Sequence, residues 1–317
     1  MQSDLRQLHK EFMDYSEFAR HLAGDTLRCY QAAFDLLMKR YPDLLPSMIT
    51  SGLLSDFFKW LQTRERPLGR GIRRGVKKST IATYWRKLSK FFSWLEGKGV
   101  IEANPLRSKQ MEFPSVRYED KKYLNRKQVE QILLAVSMGI PWKNQFVRSR
   151  NLALISVAVN CGLSKGELLA LRVEDINWKS GMLTVQGETS KSRTSRKIPL
   201  NSVVRHHLAA YLTERDKRIC TAPYLWVSEA KNSPITEDGL RYLIQVIRTQ
   251  SNVRFHLHQL RHTFAVNFLH NSSHSTLKLQ GLLGHRSILS TAVYTRCLPP
   301  EAVRAEIERM AALENTL

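Results

Sequence analysis

The clearest pattern in the chain is helical. Between Ser79 and Gly97, apolar residues recur at Ile81, Tyr84, Trp85, Leu88, Phe91, Phe92 and Leu95. That spacing of three and four places them on one broad face of a helix. Ser79-Thr80 offers an N-cap and Gly97 a stop, because a short hydroxyl accepts from an orphan N–H and glycine tolerates a left-handed end. Arg86, Lys87 and Lys90 fall away from the centre of the apolar face. The residues before this segment also read as helical.

Asn104-Pro105-Leu106 closes the helical region, since a residue preceding proline is pushed out of helical geometry, and 113–121 reads as an extended linker. Beyond it, Asn125 is placed to cap a helix running to Val136, Asn151 to Cys161 reads as a buried helix, and Gly166 to Arg172 as part of another. Met182 to Val185 and Lys197 to Leu200 read as short strands around the polar stretch from Gly187 to Arg196. The expected fold is therefore mainly α with a small β-sheet (α+β): a helical domain over 1–112, the linker, and a second domain over 122–317.

One stretch breaks the pattern. Arg64 to Lys78 is rich in glycine and poor in apolar residues, which predicts a flexible basic loop. Its Arg70, Arg73, Arg74, Lys77 and Lys78 could follow a phosphate backbone and order on binding. Taken alone, the same residues would equally suit a solubilising loop.

Charge changes that balance. Lys and Arg number 49 against 28 Asp and Glu, a formal net charge of +21. A field of that sign draws polyanions, and nucleic acid is the partner it points to. Because the basic residues are spread along the chain and not gathered in one cluster, docking on anionic lipid is the weaker reading. No apolar run approaches the ~20 residues that span a bilayer, and Met1 to Arg6 lacks the apolar core of a secretory signal. A cytoplasmic protein is expected. Cys29, Cys161, Cys220 and Cys297 lie far apart, and His256 and His258 have no second ligand pair, so no metal is expected. With neither a GxxxxGK[ST] loop nor a GxGxxG turn, no cofactor is expected either.

Three clusters could carry chemistry. In His256-Leu257-His258-Gln259-Leu260-Arg261-His262-Thr263-Phe264-Ala265, His258 and Arg261 share a helix face. Side by side, an imidazole and a guanidinium can both reach one phosphate. The second cluster joins Gly281-Leu282-Leu283-Gly284-His285 to Ser290-Thr291-Ala292-Val293-Tyr294-Thr295-Arg296. The third is the turn Thr189-Ser190-Lys191-Ser192-Arg193. Each alone has a plainer explanation: an amphipathic face, a packed aromatic, a solvated turn.

In combination the clusters resemble the tyrosine recombinase (phage integrase) family over almost the whole chain. His258 to Ala265 is similar to the family's HxLRHTFA box, and Leu282 to His285 followed by Tyr294 to its LLGH…Y box. Cys161-Gly162-Leu163, Glu167 to Leu171 and Glu174-Asp175-Ile176 resemble its TGLRxxELLALxxxDI segment. The resemblance implies a helical core-binding (SAM-like) domain followed by a catalytic domain. It implies site-specific cleavage and rejoining of DNA through a 3′-phosphotyrosyl link, in integration, excision, inversion or resolution. Tyr294 would be the nucleophile, Arg261 and His258 would hold the phosphate, and His285 would donate a further hydrogen bond. Lys191 would be the general acid. A tetramer on DNA is also implied, with the helix from Pro300 to Met310 docking on a neighbouring copy. The same residues leave two alternatives open, a non-catalytic DNA-binding accessory protein of this fold and a type IB topoisomerase.

The pattern breaks at one position. Where the family carries its first arginine, this chain has Ser164, followed by Lys165-Gly166-Glu167. A serine cannot neutralise a phosphate from there, so the expectation is slowed cleavage with DNA binding intact, Glu167 being left without its usual partner. Two alternatives are that Lys165 reaches in after a local rearrangement, or that another arginine serves in its place.

Overall fold

The structure, a computed structural model, describes all residues except 1–3, 70, 110, 115–122, 191–192, 219, 231, 272–274 and 298–317. It divides into two units, Met1–Tyr118 and Glu119–Leu317. Mainly helical, with two small antiparallel sheets, it has the α+β architecture expected.

In the first unit, helices α1 (Leu5–Asp14), α2 (Gly24–Arg40) and α3 (Ser51–Thr63) precede a hairpin of β1 (Glu65–Leu68) and β2 (Gly71–Arg74), and α4 (Lys78–Gly97) follows. The predicted face of α4 is the buried one: Ile81, Trp85, Leu88, Phe91, Phe92 and Leu95 are all in the core. Side chains of this size, fully buried, each contribute about 1.5–3 kcal/mol. Phe12, Phe34 and Phe91 surround His9, whose ring stacks on Phe34 at 3.8 Å. Burial takes the His9 pKa down to about 4, so it packs as a neutral aromatic. Asn104 locks the end of the unit onto α4, donating to Ser89 O at 2.9 Å and to Ser93 Oγ at 2.8 Å.

Two expectations are corrected here. The basic stretch is an ordered hairpin and not a loop, with Arg66 opposite Arg73 and Glu65 opposite Arg74. Cross-strand hydrogen bonding supplies the order that apolar side chains do not. Its root is fixed to α3, where Gly75 N donates to Arg64 O and Val76 N to Leu61 O. Gly75 has φ +67°, and a Cβ there would lie 2.2 Å from Gln62 O, so only glycine fits. The hairpin also delivers the chain into α4 earlier than the sequence suggests, with Lys77 at the N-cap and Ser79 inside the helix.

The second unit opens with α5 (Arg126–Leu134), started by an Asn125–Gln128 capping box, and a π turn takes in Val136. Helix α6 (Gln145–Asn160) runs through the core, buried from Ala153 to Val159, and α7 (Lys165–Ala170) follows it. The antiparallel sheet β3 (Ile176–Asn177), β4 (Met182–Val185) and β5 (Arg196–Pro199) turns Ile176, Leu183, Val185 and Ile198 inward. Helices α8 (Ser202–Asp216), α9 (Glu237–Ser251), α10 (Leu257–Asn271), α11 (Thr276–Leu283) and α12 (Leu289–Ala292) complete the described part. A small separate cluster of Ala265, Val266, Leu269, Leu279 and Leu283 encloses Tyr294. Among the described residues, no helix is long and apolar enough to cross a membrane.

Candidate active site

Helix α10 brings three polar residues to one place. His258 and His262, one turn apart, have ring centroids 4.2 Å from each other, and Arg261 between them is 7% exposed. Arg261 Nη1 donates to Gly162 O at 2.9 Å and to Glu167 Oε2 at 3.3 Å, while Nη2 donates to Leu283 O at 2.8 Å. The guanidinium is thereby fixed on the last turn of α11, whose terminal carbonyls have no partner within the helix.

Gly284 ends α11 in the left-handed conformation and turns the chain toward His285. The His285 Nδ1 shares a hydrogen bond of 2.8 Å with Thr291 Oγ1, and its ring lies parallel to that of Tyr294 with centroids 6.5 Å apart. Tyr294 follows α12 and is 1% exposed. Its hydroxyl and His262 Nδ1 are 2.8 Å apart in a shared hydrogen bond. Residues from distant parts of the sequence (Glu167, His258, Arg261, His285 and Tyr294) are thus gathered around one spot. Lys191 and the segment from Pro300 to Met310 lie outside the described residues.

Ser164 has a different task from the one its position suggests. It is the N-cap of α7: its backbone N–H donates to Glu167 Oε2 at 2.8 Å, and its hydroxyl accepts from Glu167 N, the reciprocal pair that stabilises a helix start. Glu167 is not left without an arginine. Arg196, at the start of β5, donates to both of its oxygens, Nη1 to Oε1 at 2.7 Å and Nη2 to Oε2 at 3.1 Å. Lys165 does not reach in, because its Nζ is 2.5 Å from Glu237 on the exposed surface.

The electrostatics follow from burial. Burial works to raise the Glu167 pKa, but hydrogen bonds from Arg196 and the Ser164 N–H, with the charges of Arg196 and Arg261, outweigh it and take it down to about 2. The carboxylate is therefore ionised throughout the physiological range. Burial lowers the Arg261 pKa, against the pull of Glu167. The Tyr294 phenol is pushed up to about 12, again by burial. It rests neutral and buried.

Sequence reasoning missed two residues here. His262 lies inside the recognised box with no role assigned to it, yet it contacts the phenol directly. Arg196 carried no signal: it borders a strand predicted to begin at Lys197. Among the described residues, no group of His, Cys, Asp and Glu is placed to hold a metal ion.

The other predicted cations are in the first unit. Arg73 and Arg74 are exposed on β2, and Lys77, Lys78, Arg86 and Lys90 are exposed around the start and outer side of α4. Arg70 lies outside the described residues. Arg86 sits over the Phe113 ring at 4.9 Å. Lys87 is only half exposed, with its Nζ 4.5 Å from the centre of the Tyr30 ring.

Comparison with known proteins agrees with this arrangement. Residues 122–299 match the model of the phage integrase family and residues 5–111 that of the phage integrase SAM-like domain. The chain is 31% identical to tyrosine recombinase XerC of Vibrio parahaemolyticus over 230 residues, 72% of this chain and 70% of that protein. It is 28% identical to XerC of Vibrio vulnificus over 296 residues, 92% and 87% of the two chains. Among solved structures, XerH recombinase bound to palindromic difH substrate has the same fold, with a TM-score of 0.74 at 20% identity over 95% of this chain and 83% of that one. A lambda integrase dimer bound to a core site gives a TM-score of 0.66 at 18% identity over 92% and 76%. The chain belongs to the phage integrase family, and is a site-specific tyrosine recombinase, a DNA strand transferase.

Proposed function

We propose that the site cleaves and rejoins duplex DNA with Tyr294 as nucleophile. The phenol oxygen attacks the phosphorus of a phosphodiester, forming a 3′-phosphotyrosyl bond as the bond to the 5′ oxygen breaks. The phenol proton leaves along the hydrogen bond to His262, and Lys191 protonates the departing 5′ oxygen. Arg261, His258 and His285 hold the non-bridging oxygens, where charge builds in the transition state. The phosphodiester bond energy is kept in the link, so a 5′ hydroxyl can reverse the reaction without ATP.

The observation that carries this reading is the convergence on Tyr294. Separated stretches of chain deliver His262 to its hydroxyl and His285 alongside its ring, with Arg261 one residue away on α10. Binding DNA alone needs no such gathering around a tyrosine. In the resting arrangement the phenol is shielded, so productive docking on DNA includes its release.

The protein acts in the cytoplasm on double-stranded recombination sites, assembling as a tetramer on paired sites through the C-terminal segment. The exposed cations of β2 and α4, with Arg70, track the phosphate backbone. The test is to incubate the full chain with a library of random duplexes carrying nicks, which prevent religation, and to sequence the DNA attached to protein. The expected result is a denaturation-resistant adduct on a recurrent sequence, absent in Tyr294→Phe although duplex binding persists. Binding without any adduct would replace this reading with the accessory protein. Relaxation of supercoiled DNA by monomers without site preference would replace it with a topoisomerase.

A further inference from the structure

Beside Arg261 the fold buries a second guanidinium that the recognised motifs do not account for. The Arg196 and Arg261 side chains are each 8% exposed and share the carboxylate of Glu167, itself 4% exposed. Two cations on one ionised carboxylate leave a surplus positive charge in a poorly hydrated place. Such a charge is costly unless an anion joins it. The carboxylate cannot compensate further, since it already accepts from Arg196 twice, from Arg261 and from the Ser164 N–H.

The guanidinium of Arg196 is also held in place. Its Nε donates to Leu282 O at 2.7 Å, next to the Leu283 carbonyl that fixes Arg261. The turn at Gly284 makes room for it: a Cβ there would lie 2.8 Å from Arg196 Nη1. Of the five N–H groups of each guanidinium, the contacts among the described residues use three on Arg196 and three on Arg261. Two on each remain to meet an acceptor. That acceptor would lie at the end of α11, beside His285.

We infer that Arg196 supplies the second guanidinium of the phosphate site, doing from β5 what Ser164 cannot do from the start of α7, and that with Arg261 it cradles one phosphodiester. Resting as it does on the reading of this site as DNA-cleaving, the inference removes the ground for expecting slow cleavage. The glutamate has its arginine, which arrives from another strand. Ser164 is free to cap a helix because the charge is provided elsewhere.

The test uses the full chain, with the nicked duplex recovered above as substrate. Arg196→Gln is expected to lower the rate of adduct formation about a hundred- to a thousandfold, as deletion of a preorganised donor does, with duplex binding within a few-fold of the parent. Adding Ser164→Arg to Arg196→Gln is expected to recover at least about tenfold, because it returns a guanidinium to the other side of Glu167. Lys197→Gln, one residue along the same strand, is the control and leaves the rate unchanged. Cleavage by Arg196→Gln within about fivefold of the parent overturns the inference, as does a loss no larger than the fall in folded protein read from the melting curve.

A second readout keeps the inference separate from the reaction. Tungstate, a tetrahedral oxyanion, is expected to raise the melting temperature of the parent and of Lys197→Gln, and to raise it much less in Arg196→Gln. Equal shifts in all of these proteins overturn the anion cradle. If no protein forms an adduct yet the tungstate shift depends on Arg196, the nucleophilic reading falls and the cradle stands.

Discussion

The two units use the same residue type in opposite ways. Arg73 and Arg74 stand exposed on a small hairpin, where water and salt screen them and each contributes little by itself. Arg196 and Arg261 are buried against Glu167 and the end of α11, where the fold fixes their orientation and each charge interacts strongly. Exposed cations attract a polyanion and act as a sum. Buried cations act at one point, and removing any partner is felt at once. The contrast predicts that substitutions in the second unit act sharply and those in the first by degrees.

The largest effect is expected at the carboxylate. Glu167→Gln leaves two guanidiniums facing each other without a counter-charge, and should destabilise the second unit by about 3–5 kcal/mol, read from denaturant unfolding. The pH dependence sharpens the point. The Glu167 pKa is depressed from 4.5 to about 2, so its stabilisation is complete above pH 4.5 and is lost as pH falls toward 2. Between those values the parent should lose stability more steeply than Glu167→Gln, and equal slopes in the two proteins would break the account.

A middling effect is expected where the hairpin is rooted. Gly75→Ala forces a side chain into the left-handed region and against Gln62 O. It should cost on the order of 1–3 kcal/mol in the first unit while leaving the unfolding of the second unchanged. The smallest effect belongs to the exposed cations. The pair Arg73→Gln and Arg74→Gln should leave the melting temperature where it is and weaken duplex binding gradually. If each meets one phosphate, the slope of log affinity against log salt falls by about 0.9 per contact. An unchanged slope would remove the hairpin from the interface.

How much of this was legible depended on distance along the chain. The apolar face of α4 and the capping of α5 by Asn125 are local patterns, repeated every turn, and the structure has both. His258 and Arg261 were legible for the same reason, sharing one helix. The hairpin of β1 and β2 looks like a loop in sequence because its order comes from backbone pairing, which glycines and arginines do not advertise. The sequence marks Ser164 only by the charge it lacks, whereas its capping of α7 depends on the local geometry. Arg196 could not be found at all, since its bond to Glu167 joins β5 to α7 and nothing in the intervening sequence marks the pair. Local periodicity exposes elements, whereas a buried ion pair between elements appears only when they are packed.

The turn at Gly284 has a consequence for how this sequence can drift. Its left-handed backbone already discourages a side chain, and the guanidinium of Arg196 occupies the space such a side chain would need. Positions 284 and 196 are therefore neighbours that share one small space. A larger residue at 284 would crowd the guanidinium that Arg196 holds against Glu167. Substitutions at the two positions should therefore not be additive.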